Sequence, residues 1–166
     1  MKSLLVFVLA LIFLIPLART AFAAPSDDLS PAQATHLLFK GTIQSNETYS
    51  TIYPTLYVTA NGSGNSAPLG TFTVSYHTEV NLLDFSETES AQFSGSNGGS
   101  LQAKGMGQSI EDRTPGMYNV IHIYTITGGT GRFSGASGTI TVKRLVSRAA
   151  GVASSTFEGY ILITSK

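Results

Sequence analysis

The chain has 166 residues with ten basic and ten acidic side chains, and it contains neither cysteine nor tryptophan. A balanced charge excludes the basic footprint of a nucleic-acid-binding domain. The absence of cysteine excludes disulfides, thiolate catalysis and zinc–thiolate sites together, so stability must come from packing and hydrogen bonding.

Lys2 precedes the apolar run Leu4 to Leu17, and Ala21-Phe22-Ala23 places small residues where a signal peptidase reads them. The run is shorter than the roughly 20 residues that span a bilayer. Residues 1–23 therefore read as a signal peptide cut after Ala23, giving a secreted, extracytoplasmic chain with no retained membrane anchor. With no cysteine after it, lipoprotein attachment is excluded. Residues 24–34, with Pro25, Asp27, Asp28, Ser30 and Pro31, have no periodicity and read as a flexible lead. Residues 35–166 are long enough for one domain with a core of its own.

Strand patterns then run almost without interruption. Leu37, Phe39 and Ile43 alternate with Lys40, Thr42 and Gln44, while Phe72, Val74, Tyr76, Val80 and Leu82 alternate with polar neighbours. A period of two means one buried face. Further strands are expected over 51–59, 88–94, 100–108, 117–127, 138–147 and 153–164, with turns at Asn61-Gly62, Asn97-Gly98 and Pro115-Gly116. No later stretch carries a capped helical stripe, so about eight strands must pair antiparallel through short connections. Such a sheet closes, because closure removes exposed edges. The fold expected is all-β, a single closed antiparallel barrel. Gly70-Thr71-Phe72-Thr73-Val74 is echoed by Gly138-Thr139-Ile140-Thr141-Val142, and Phe93-Ser94-Gly95 by Phe157-Glu158-Gly159, a pattern that either hairpin duplication or chance would produce.

The densest signal is Thr127-Gly128-Gly129-Thr130-Gly131-Arg132-Phe133-Ser134-Gly135-Ala136-Ser137-Gly138. Its spacing is Gly-x-Gly-x-x-x-Gly and a strand pattern follows, so it lacks the helix that a dinucleotide loop needs. Positive φ is expected at Gly128, Gly129 or Gly131. Together with Tyr124-Thr125-Ile126 before it and Val142, Leu145-Val146 and Phe157-x-Gly159 after it, this segment resembles the second half of allene oxide cyclases. The Gly-Gly-Thr-Gly-x-Phe core is also similar to that of plant dirigent proteins. The likeness covers Tyr118 to Gly159. It implies an eight-stranded calycin-type barrel and a homotrimer. Allene oxide cyclases carry a buried glutamate on their first barrel strand; Leu37 to Gln44 has no acid, and Glu47 lies in a polar stretch that reads as a loop.

Among candidate site residues, Arg144 shares parity with Ile140, Val142 and Val146, so it projects into the barrel and is the first choice to anchor a ligand carboxylate. His122, between Val120 and Tyr124, is expected to be partly buried with a hydrogen-bond partner. Tyr76 faces an apolar lumen with Phe72, Val74, Ile140, Val142, Phe157 and Ile161, in which Gly41, Gly105 and Gly159 leave room. His77 and Glu79 share a polar strand face and read as solvent-exposed. No metal site, cofactor motif, catalytic triad or phosphate loop is present in the sequence pattern. Met117, Ile121 and Ile123 form a second apolar face on their strand, which a neighbouring subunit, the lead or a loop must cover. Asn46-Glu47-Thr48 and Asn61-Gly62-Ser63 are glycosylation sequons. The sequence thus reads as a secreted barrel that binds a small lipophilic molecule without turning it over. A cyclase-type isomerase of an oxidised fatty acid and a structural envelope or matrix protein are the alternatives.

Overall fold

The structure, a computed structural model, describes residues 34–164. The expected signal peptide over 1–23 and the lead up to residue 33 lie outside them. Eight strands follow in order: β1 Ala34–Ile52, β2 Thr55–Ser66, β3 Gly70–Asn81, β4 Ser86–Gly95, β5 Ser100–Glu111, β6 Met117–Thr130, β7 Ser137–Ser147 and β8 Val152–Thr164. Each pairs antiparallel with the next, and β8 returns to β1 over Ala34↔Thr164 to Asn46↔Val152. The expected closed eight-stranded barrel is present. Among the described residues no helix is long and apolar enough to cross a membrane.

Two turn assignments change. The polar stretch Ser45 to Thr48 is not a loop but the middle of β1, and Asn61-Gly62 is not a turn but the middle of β2, where Asn46 faces Asn61 in register. The chain reverses at Tyr53-Pro54 instead. Ser45 and Glu47 point inward and are buried, whereas Asn46 and Thr48 point outward. Polar residues on both faces erase the hydropathy alternation while leaving the backbone fully paired. The two sequon asparagines are therefore exposed cross-strand neighbours.

The barrel interior divides along its axis. At the end where β1 begins, Phe39, Phe72, Phe93 and Phe157 form one aromatic cluster, with centroids 4.7 Å apart for Phe39–Phe157 and 5.7 Å for Phe39–Phe93. Offset and edge-on rings at these separations add to the burial of their area. Leu69 and Phe133, both fully buried, pack into the same cluster. Phe133 is carried by a short 3-10 turn, Gly131–Phe133, in the glycine-rich segment. Gly131 has φ +60°, and Gly128, beside a bulge in β6 opposite Gln102 and Ala103, has φ +153°. Gly129 differs from the expectation, because it is constrained by space: a Cβ there would meet Phe133 Cβ at 2.9 Å.

The sequence echo occupies equivalent places in the pairing. Val74 faces Phe93 and Phe72 faces Gly95, as Val142 faces Phe157 and Ile140 faces Gly159. The lumen is not roomy, however. A Cβ on Gly41 would touch the Phe157 ring at 3.0 Å, and one on Gly159 would meet Ile140 Cγ2 at 2.7 Å, so neighbouring side chains already fill the space those glycines leave. On the outside of β6, Ile121 and Ile123 are 51% and 59% exposed, and Met106 lies opposite Ile123. The second apolar face expected there is present, and none of the described residues covers it.

Candidate functional site

The other half of the interior is polar. Inward parity brings Ser45 and Glu47 of β1, Tyr76 and Thr78 of β3, Glu87 and Glu89 of β4, His122 and Tyr124 of β6, and Arg144 of β7 to neighbouring levels of the barrel. All are buried, and a buried charge needs partners. Glu89 is the hub. Arg144 donates to it from both Nη atoms, at 3.2 and 3.0 Å; Thr78 Oγ1 donates at 2.6 Å; and the Tyr124 hydroxyl donates to its Oε1. The Arg144 guanidinium also lies 4.3 Å above the Tyr76 ring. Glu47 is held separately, by the hydroxyls of Tyr49 at 2.6 Å and Tyr76 at 3.2 Å, with Arg144 Nη1 3.9 Å away.

Two glycines make this cluster possible. Glu89 faces Gly105, which faces Tyr124; Glu87 faces Gly107, which faces His122. A Cβ at Gly105 would lie 2.8 Å from Tyr124 Cδ1, and one at Gly107 would lie 2.9 Å from His122 Cγ. The absent side chain on β5 lets each ring cross that strand to the acid on β4. His122 Nε2 comes within 3.0 Å of Glu87 Oε2, and Nδ1 within 3.8 Å of Glu89 Oε2, yet neither nitrogen is aligned for a hydrogen bond. The partner expected for His122 is thus a carboxylate on either side rather than one aligned acceptor.

The electrostatics follow the contacts. Burial by itself would raise the Glu89 carboxyl, but Arg144 and then His122 hold it below the ordinary glutamate range. Burial likewise works against the Arg144 charge, and Glu89 together with Tyr124 and Tyr76 outweighs it, holding the guanidinium above its ordinary range. The Tyr124 phenol is pushed well up by burial and by Glu89. Tyr76 is raised chiefly by burial, against the opposing pull of Arg144, and Tyr49 by burial and its hydrogen bond to Glu47. Glu89 is therefore held as an anion, with four donors on its two oxygens.

A small cavity of about 30 Å³ lies above this cluster. Glu47, Glu87, Ser109 and Arg144 supply its polar lining; Val58, Val80, Val120 and Val146 supply apolar walls; Tyr49, Tyr118 and Arg148 stand at the rim. Ser109 Oγ and Arg144 Nε are buried without a hydrogen-bond partner among the described residues. Polar atoms left unpaired beside a cavity can each receive a ligand atom. No group of three or more histidine, cysteine or acidic side chains among the described residues is placed to hold a metal ion. His77 and Glu79 are exposed on the outer face.

The three residues singled out from sequence, Arg144, His122 and Tyr76, lie together in this cluster. The role expected of Arg144 changes, because its carboxylate partner is the protein's own Glu89. Glu47, read as a solvated loop acid, is buried on the first strand. Glu87, Glu89, Tyr124, Ser109 and Arg148 were not singled out. The alternation Glu87, Glu89, Ala91, Phe93 held the signal for the first two, since Phe93 fixes that face as the buried one.

No family model matches the chain, and no curated protein matches it in sequence. Solved structures do match in shape. The pterocarpan synthase dirigent protein GePTS1 superimposes with a TM-score of 0.57 at 15% identity, covering 88% of this chain and 99% of that one. The pterocarpan synthase dirigent protein PsPTS1 gives 0.56 at 15% identity, over 81% and 97%. At this identity the likeness is one of fold, and the chain is a closed eight-stranded barrel of the dirigent-like kind.

Proposed function

We propose that this protein is a secreted barrel that holds a small, largely apolar molecule at its polar end. The observation that carries the reading is the asymmetry of the interior: one end is packed solid with aromatic rings, while the other ends in a buried polar cluster facing a cavity between valine walls. Binding sites combine an apolar lining with a few fixed polar groups in this way. The ligand sits at the mouth and not deep in the lumen, because the aromatic cluster leaves no room below. Export rests on the Lys2, Leu4 to Leu17 and Ala21-Phe22-Ala23 pattern. The uncovered Ile121 and Ile123 face supports self-association, with a homotrimer as the form expected.

Native mass spectrometry of the mature chain against a fatty-acid and terpenoid panel tests the reading. A complex is expected with the wild type and not with Val58→Trp, which fills the mouth. No adduct across the panel would overturn it.

One observation favours a second reading, an isomerase of cyclase type. A buried acid does stand on the first strand, as Glu47, and it faces the cavity together with Glu87, the acid beside His122. The fold neighbours are themselves named synthases. Turnover of an allene oxide that disappears in Glu47→Gln would establish this reading over simple binding.

A further inference from the structure

Arg144 and Arg148 both line the cavity, but their guanidinium groups are in opposite states. Both Nη atoms of Arg144 are spent on Glu89. Arg148, in the turn after β7, has no carboxylate within ion-pair distance among the described residues. Its backbone is held at both ends, since its N–H donates to the Gly116 carbonyl at 3.2 Å and its own carbonyl accepts from Gly151 at 3.3 Å. Its guanidinium lies 4.3 Å above the Tyr118 ring. Stacking uses the face of the group and leaves its in-plane N–H donors unspent. The buried, unpartnered Ser109 hydroxyl faces the same cavity and offers one more donor.

Resting on the reading of the mouth as a binding site, we propose that Arg148 is its anion anchor and that the ligand is an apolar monocarboxylate. The carboxylate pairs with the planar fork of Arg148, and the hydrocarbon body runs between the valine walls. That body exceeds the cavity of about 30 Å³, so the half-buried Tyr49 swings aside on binding while Tyr118 keeps its stack with Arg148. Glu47 and Glu87 line the floor beneath. They repel a second negative charge at the far end of the ligand, which makes the site selective for one carboxylate against two.

Three probes of equal length separate these statements: octanoate, octanamide and octanedioate, titrated into the full mature chain at pH 7.5 with NMR detection. Octanoate is expected to bind at least fivefold more tightly than octanamide, and octanedioate more weakly than octanoate. Arg148→Gln should abolish the advantage of octanoate while leaving octanamide unchanged, and Arg113→Gln, on an exposed loop, should leave both unchanged. Equal affinity of octanoate and octanamide for the wild type, which needs no variant to measure, overturns the anchor assignment. So does an advantage that survives Arg148→Gln, or failure of every carboxylate, the panel's fatty acids included, when its uncharged terpenoids still bind. Failure of the whole panel removes the binding reading of the mouth along with it.

Discussion

The two halves of this barrel interior are built from the same strands and close the same sheet, yet they are held together by different physics. Around Phe39 the contacts are dispersion and area burial, which tolerate small displacements and need no particular angle. Around Glu89 every stabilising contact offsets a desolvation penalty and depends on a partner staying in place. The lesson is that the apolar half sets the stability of the barrel independently of any ligand, whereas the polar half is stable only as a complete set. The groups at the cavity without a partner among the described residues, Ser109 Oγ and Arg144 Nε, are those open to something else.

The sharpest way to break the comparison is Glu89→Ala, which strands the buried Arg144 charge. A loss of about 3 to 5 kcal/mol is expected, as for a buried pair broken from one side. Replacing both partners, Glu89→Leu with Arg144→Met, should recover much of it, a result an apolar contact could not give. Urea denaturation of the two variants measures both numbers, and an unchanged midpoint for Glu89→Ala would show that the hub is dispensable. Phe39→Ala should cost a similar or slightly smaller amount, about 3 to 5 kcal/mol from lost burial and the cavity left behind. In contrast to Glu89→Ala, it should leave ligand affinity at the mouth intact. Loss of binding in Phe39→Ala would mean that the halves are coupled.

Gly131→Val, at the closed end, puts a β-branched residue at φ +60° and should cost about 1 to 3 kcal/mol. Thermal melting of that variant against Gly98→Val, also at positive φ but with open space around it, separates backbone strain from crowding. The pH profile should show the polar half through Glu89, Tyr76 and Tyr124, beside an acid contribution from Asp84 and Asp112, which hydrogen bonds also hold low. Glu89 is held low in the fold, so its contribution is complete above the unfolded-state value of about 4.3 and is lost as pH falls through the folded value. Tyr76 and Tyr124 are held high, so their contribution is complete below about pH 10 and is lost as pH rises beyond it. Stability should be level between these limits, and Glu89→Leu with Arg144→Met should flatten the acid limb. Smallest of all, Ile123→Lys should leave monomer stability nearly unchanged and shift sedimentation toward monomer. An unaltered sedimentation profile would remove that face from the assembly.

The sequence by itself determined the fold class and much of the lumen. Phe72, Val74, Tyr76, Ile140, Val142 and Phe157 show their inward parity because their outward neighbours are polar, and a period of two survives any tertiary arrangement. Parity also placed Arg144 inside and His77 outside. Where the inward residues are themselves polar, as at Ser45 and Glu47, alternation of hydropathy vanishes, and β1 reads as broken although its ladder is continuous. Only the tertiary structure decided which inward residues meet. That Glu89 rather than a ligand satisfies Arg144, and that Gly105 and Gly107 are crossings rather than vacancies, depend on register between strands far apart in the chain. A local pattern fixes the direction in which a side chain points; closure of the barrel fixes what stands opposite it.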